Sequence, residues 1–277
     1  MISSSSRFNS SDFILTHLAL ANILILLSLG IPETMSSWGR RNFLDATGCK
    51  ILNYLYRVAR GLAICTTCLL SVFQAISISP GISWWAGLKP KLPKFILCFF
   101  VLSWILNMLI EFDTLMNFTS PQNSSSLGIM LDLKYCSKVS VNADINVLIT
   151  VMYSFRDLFF VGLMSVTSSY MVLVLRRHHR QFQYLHGPNC SSKAMPEVRA
   201  AKRVIGLVTL YVFLYGRQTI MLSVIINREE KSPLLISSHV VMSFAFSAFS
   251  PFLLIHSDRR IRMFWKRKSL VFHTDPS

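Results

Sequence analysis

Apolar residues gather in six long blocks, Phe13–Met35, Ile51–Ile78, Phe95–Phe112, Ile145–Leu175, Val204–Ile226 and Leu234–His256, with short polar stretches between them. A bilayer crossing takes about 20 mostly apolar residues, because hydrocarbon offers no partner to a backbone N–H or C=O. Each block meets or approaches that length. Polar positions within the blocks are too sparse for the alternation of a strand, so the pattern predicts membrane helices and not a barrel. Pro93 suits the first turn of the third helix, where its missing N–H is not needed. Pro251 falls inside the last block and predicts a kink there. Met1–Asp12 is Ser-rich and the first block is too long for the h-region of a signal peptide, so no cleaved leader is expected.

Composition agrees with a chain that lives in lipid. Of 277 residues, 52% are hydrophobic and only 15% charged, with a mean hydropathy of +0.47; such a surface does not suit a soluble protein. The net charge of +15 does not point to nucleic acid, since the basic residues sit in the gaps between apolar blocks without an interleaved aromatic groove. They fix an orientation instead. With both termini inside, the inner segments hold 17 Lys and Arg against 7 outside, the bias expected next to an anionic cytoplasmic leaflet. The first hairpin runs against this, because Arg40 and Arg41 outweigh Arg7.

That orientation puts Cys49 and Cys136 on the outside, where an oxidising compartment permits a disulfide that would add about 2–4 kcal/mol; two free thiols is the other reading. Two glycosylation sequons, at Asn117 and Asn123, lie in the same outer loop, Asp113–Asn142, whereas those at Asn9 and Asn189 fall inside and are read as chance. Cys65 and Cys68 form a C-x-x-C on an apolar helix with no second ligand pair, which reads as packing, so neither a metal nor a cofactor is expected.

Charges within the spans are costly and draw attention as functional candidates. Arg57 and Arg60 are three apart, on one helical face within reach of an outer cavity. Two readings stand side by side: contact with an anionic or hydrogen-bonding ligand, or pairing with Glu111 or Asp113 as structural anchors. Tyr54 and Tyr56 are further pocket candidates on the same helix. Arg156 and Asp157 are sequence neighbours and are expected to point apart and find partners elsewhere; Arg217 is expected in a salt bridge within the bundle. Catalysis finds no support, because Glu33, Glu111 and Asp157 are isolated in sequence and the His178–His179 doublet sits in a basic inner segment.

The run from Tyr56, YRVARGLAICTTCLLSVFQAISISPGISWWAGLKPK, resembles the third helix and following loop of vomeronasal type 1 receptors, a family of pheromone-type G-protein-coupled receptors. SSDFILTHLALAN at Ser10–Asn22 resembles the start of the family's second helix, and SFRDLFFVGLMSVTSSYMVLVLRRHHRQFQYLHG at Ser154–Gly187 its fifth. The likeness continues through PEVRAAKRVIGLV at Pro196–Val208, FLYGRQTIM at Phe213–Met221 and SPFLLIHSDRRIRMFWKRK at Ser250–Lys268. It implies an all-α fold, a rhodopsin-like seven-helix bundle here with six spans, forming a single receptor domain over residues 1–277. It also implies a plasma-membrane, multi-pass protein that takes a small pheromone-like ligand from outside and activates a heterotrimeric G protein of the inhibitory class inside. The third helix ends in SVFQAISISP without an acidic-arginine-aromatic triplet, and Ser250-Pro251 lacks a following tyrosine; both departures from the wider rhodopsin-like class are typical of the vomeronasal family. Asn22 stands where many class members have an aspartate, which speaks against a sodium site.

A transporter or channel subunit is the alternative from a different class, since it too keeps intramembrane charges. Against it, there is no evident inverted repeat and no pair of Gly/Pro-broken helices. Because the resemblance opens on the family's second helix, the polar residues around Asn22 and Ser247–Ser250 are expected to face lipid. Retention in the endoplasmic reticulum and poor signalling are expected to follow.

Overall fold

The computed structural model describes residues 2–40, 43–79, 91–119, 129–133, 136–139, 143–186, 196–227 and 233–257. All six apolar blocks lie inside helices: α1 (Ile2–Ile25), a π-helical turn (Leu26–Gly30) and α2 (Ile31–Ser37) carry the first, and α3 (Ala46–Ile78) the second. The third block lies in α4 (Leu92–Ile110) and the 3-10 turn Glu111–Asp113 that leads to the short α5 (Thr114–Asn117), and the others in α6 (Ala143–His186), α7 (Pro196–Asn227) and α8 (Pro233–Ser257). Among the described residues, four stretches are long and apolar enough to cross a membrane: Ser10–Ser37, Ala46–Ile78, Leu92–Met116 and Leu148–His178. The helix bundle is therefore a multi-pass membrane protein. At about 1.5 Å per residue, the 44 residues of α6 reach about 66 Å, twice the hydrocarbon thickness, so α6 is longer than one crossing needs, and its basic end carries Arg176, Arg177 and Arg180, all exposed.

Local chemistry explains the irregular points. The π turn directly precedes Pro32, whose ring would clash with the carbonyl four residues back and which supplies no N–H, so the helix widens by one residue there. Asp45 caps α3 by accepting the Gly48 N–H at 2.9 Å. Hydroxyls within the spans return their protons to their own helices, as Thr16 to Asp12 O (2.8 Å), Thr67 to Ala63 O (2.7 Å) and Ser165 to Val161 O (2.8 Å), which lets serine and threonine sit in apolar surroundings.

The centre of the bundle is α3, which packs on α1, α4, α6 and α7. In its most apolar window 83% of residues are buried, against 28% in the α4 span and 17% in the α6 span; α3 is thus an internal helix, while α4 and α6 give their outer faces to lipid. Those faces carry Leu97, Val101, Leu102 and Leu109 on α4, and Leu148, Phe155, Leu158 and Val166 on α6, all exposed.

The stretch between α5 and α6 holds a small antiparallel sheet that the hydropathy pattern does not announce. Its order is β1 (Phe118–Thr119), β3 (Cys136–Val139), β2 (Ile129–Leu133). Leu133 faces Cys136 and Ile129 faces Val139, with an irregularity between Ile129 and Leu131. The central strand is the one tied to the bundle: Cys136 is disulfide-bonded to Cys49 in the first turn of α3, with the Cα atoms 5.7 Å apart. Both cysteines are fully buried, in a cluster with Leu29 and Val240.

One expectation is overturned by the packing of α1 on α8. Asn22, Ser247 and Ser250 do not face lipid: all are buried, and Asn22 Nδ2 donates to Ser250 Oγ at 2.6 Å. Polar side chains in hydrocarbon gain by meeting one another, and these two helices bring them together.

Candidate functional site

Ser103 and Asn107 on α4 and Glu111 in the 3-10 turn that continues it recur every four residues, so one face of this segment is polar, and all three are buried. That face meets Arg57 on α3 and Arg156 on α6, with Tyr153 and Asp157 of α6 and Arg60 of α3 beside them. Arg156 is the hub. Its Nη1 donates to Glu111 Oε1 at 2.9 Å and to Asn107 Oδ1 at 3.1 Å, and its Nε donates to Asp157 Oδ1 at 3.0 Å. Glu111 Oε2 faces Arg57 Nη1 at 3.4 Å, and Asp157 Oδ2 faces Arg60 Nη2 at 3.4 Å. The result is an alternating chain, Arg57–Glu111–Arg156–Asp157–Arg60, that joins three helices. The Tyr153 ring lies beneath both Arg57 and Arg156, 5.1 and 5.5 Å from their guanidinium carbons, and its hydroxyl donates to Asp113.

Gly61 makes this convergence possible. A Cβ at that position would overlap the Asn107 side-chain amide and press on Arg156, so glycine is what lets α4 and α6 bring their polar groups against α3.

Beside the chain, Arg60 forms part of the wall of a small cavity of about 30 Å³ between α1, α3, α7 and α8, with Tyr211, Tyr215, Gln218, Ser243 and Ser247 as its other polar neighbours. Gln218 Nε2 donates to Ser243 Oγ at 3.0 Å, tying α7 to α8. Tyr211 stacks on Tyr215 and meets Phe246 edge to face, with centroids 6.1 and 5.0 Å apart. Below, a neutral cluster joins α1, α3 and α4: Trp104 Nε1 donates to His17 Nε2 at 2.9 Å, which leaves the other ring nitrogen to donate to Thr66 Oγ1, also 2.9 Å away.

The pocket candidates read from the sequence divide. Arg60 lines the cavity, whereas Arg57 is drawn to Glu111, Tyr54 donates to Met108 O on α4 at 3.2 Å, and Tyr56 packs against both apolar clusters of the core. Arg156 and Asp157 find the partners elsewhere that were expected, Glu111 and Arg60, but they also pair with each other, against expectation, because the arginine is long enough to curl back to the carboxylate one residue on. Arg217 is exposed on α7 rather than enclosed in the bundle. Asn117 ends α5, one residue before β1; Asn123 lies outside the described residues. Cys65 and Cys68 are buried free thiols. Sequence reasoning missed Asn107, Gln218 and Ser243. The four-residue spacing of Ser103, Asn107 and Glu111 is a signal that would have found the first of these, but no comparable pattern marks the other two.

Residues 1–267 match the sequence model of the vomeronasal organ pheromone receptor family. The human vomeronasal type-1 receptor 4 is 39% identical over 264 residues, which is 94% of this chain and 88% of that one. Olfactory receptor class A-like protein 1 of Danio rerio is 36% identical over 259 residues, 93% of this chain and 81% of its own. The crystal structure of squid rhodopsin superposes with a TM-score of 0.69 at 15% identity, covering 93% of this chain and 70% of that one, so the fold is a rhodopsin-like helical bundle. A match of this extent settles descent: the chain belongs to the vomeronasal organ pheromone receptor family.

Proposed function

We propose that this protein is a pheromone receptor of the plasma membrane, activated by a small ligand from outside and coupled inside to a heterotrimeric G protein of the inhibitory class. The observation that carries the reading is the family match over residues 1–267, and membership of a receptor family also supports a role other than catalysis. Its geometry offers a mechanism. Ligand enters where α1, α3, α7 and α8 enclose the cavity, and contacts made better in one packing of α7 and α8 than in another shift a pre-existing equilibrium between them. The Gln218–Ser243 bond joins α7 to α8 in the wall of that cavity. On the inner side the exposed Arg176, Arg177 and Arg180 of α6 present a basic surface to an acidic partner and to anionic lipid.

The test is to express the chain with an inhibitory-class G protein in cells and to follow cyclic nucleotide levels against a panel of small amphiphilic odorants. A ligand-dependent fall that pertussis toxin abolishes is the expected result. Substrate flux in vesicles without any G-protein response would overturn the reading.

A further inference from the structure

The ion-paired chain is unequal: three arginines, Arg57, Arg60 and Arg156, share two carboxylates, Glu111 and Asp157. Each carboxylate splits its oxygens between two arginines. Arg156 takes the close contacts, 2.9 Å to Glu111 and 3.0 Å to Asp157, and leaves the outer arginines at 3.4 Å. A third carboxylate, Asp113, sits at the α4 end, bound by the hydroxyl of the Tyr153 ring that also carries Arg57. Surplus positive charge therefore collects at the other end, on Arg60. A guanidinium has five N–H donors; Asp157 engages Arg60 at Nη2 only, and 28% of the Arg60 side chain remains open.

Arg60 also lines the cavity, whose wall contains no carboxylate among the described residues. Its remaining polar groups can all donate a proton: the phenols of Tyr211 and Tyr215, the Gln218 amide and the hydroxyls of Ser243 and Ser247. The Ser243 hydroxyl is already committed to His239 O at 2.9 Å, but Gln218 keeps a second amide proton and faces the same space. A volume of about 30 Å³ has room for about two waters, which matches a halide ion or a carboxylate head and excludes a whole amphiphile. In a low-dielectric bundle a half-paired guanidinium gains strongly from such a partner.

We propose that this cavity is a binding site for a small monovalent anionic group, halide or carboxylate, held by Arg60 with the donors of Tyr215 and Gln218. This deepens the receptor reading, since a carboxylate here would be the headgroup of an activating ligand, but occupancy is measurable without signalling and so fails separately from it. The full chain in lipid nanodiscs is unfolded by heat with chloride exchanged for gluconate at constant ionic strength, and with octanoate or octan-1-ol added. Chloride or octanoate is expected to raise the unfolding temperature and octan-1-ol is not. A rise with chloride alone identifies a resident halide, a rise with octanoate alone a ligand headgroup, and a rise with both the shared site.

Arg60→Gln is expected to abolish the effect. Gln218→Leu and Tyr215→Phe leave the ion pairs intact and are expected to raise the half-saturating anion concentration about tenfold, as the loss of one hydrogen bond to a charged group does. No anion-dependent rise in the unaltered chain, an equal rise with octan-1-ol, or unchanged half-saturation in both of these variants would overturn the proposal. Stabilisation by anion without any G-protein response would sink the receptor reading alone.

Discussion

Polar groups meet differently at two corners of this bundle. Where α3, α4 and α6 converge they are charges, locked through Arg156 into a five-member chain. Where α1, α7 and α8 converge they are neutral, and single hydrogen bonds join them, Asn22 to Ser250 and Gln218 to Ser243. Ions in a low-dielectric interior are tolerable only when every one is paired, so the first corner resists any rearrangement that separates them. Neutral interhelical bonds in membranes average only about 0.6 kcal/mol and can be exchanged for others. The first corner is a frame, and the second is where packing can change. The cavity lies against both, with Arg60 from the frame and Gln218 and Ser243 from the movable side.

The most severe way to break the frame is Arg156→Leu, which leaves Glu111 and Asp157 with only the outer arginines at 3.4 Å. Removing one partner of a buried pair costs about 3–5 kcal/mol, so surface delivery should collapse; normal delivery would show that the hub is dispensable. Next come the cysteines. Cys49→Ser and Cys136→Ser should each cost about 2–4 kcal/mol, with little further loss in the double variant because both remove one bond. Additive losses in an unfolding assay would count against a shared role.

Gly61→Ala tests how close the helices of the frame must come. The added methyl meets the Asn107 amide, and overpacking of this kind costs about 1–3 kcal/mol; adding Asn107→Ala should recover part of the loss, and full additivity would mean that the clash is relieved elsewhere. The smallest effect is expected on the neutral side. Ser250→Ala removes the partner of Asn22 and should lower stability by about 1 kcal/mol while changing basal signalling more than delivery. A loss as large as that of Arg156→Leu would erase the distinction between the corners.

Most of the helical framework was legible in the sequence, because hydropathy acts over whole turns and lipid leaves the backbone no other solution. Cys49 and Cys136 were legible from their sidedness. The sheet around Cys136 was not: β1 has two residues, and its pairing with β3 spans a loop that carries no alternating pattern. Arg57 and Arg60 were visible as charges out of place, and pairing of Arg57 with Glu111 stood among the readings, but nothing in their spacing said that Arg60 would line the cavity between α1, α3, α7 and α8. Arg156 was misjudged for a plain reason. Helical spacing describes where side chains start, and a seven-atom side chain can end beside its neighbour.

By itself the sequence determined that this chain is a membrane helix bundle and to which family it is related, since these rest on properties that accumulate along the chain and survive any detail of packing. Only the tertiary structure decided that Asn22 and Ser250 meet inside the bundle, that Gly61 admits Asn107 and Arg156, and that three arginines divide two carboxylates so that Arg60 is left partly open. Those outcomes depend on the relative placement of helices far apart in sequence. There a shift of about one ångström makes or breaks a hydrogen bond, a scale on which hydropathy and spacing carry no information.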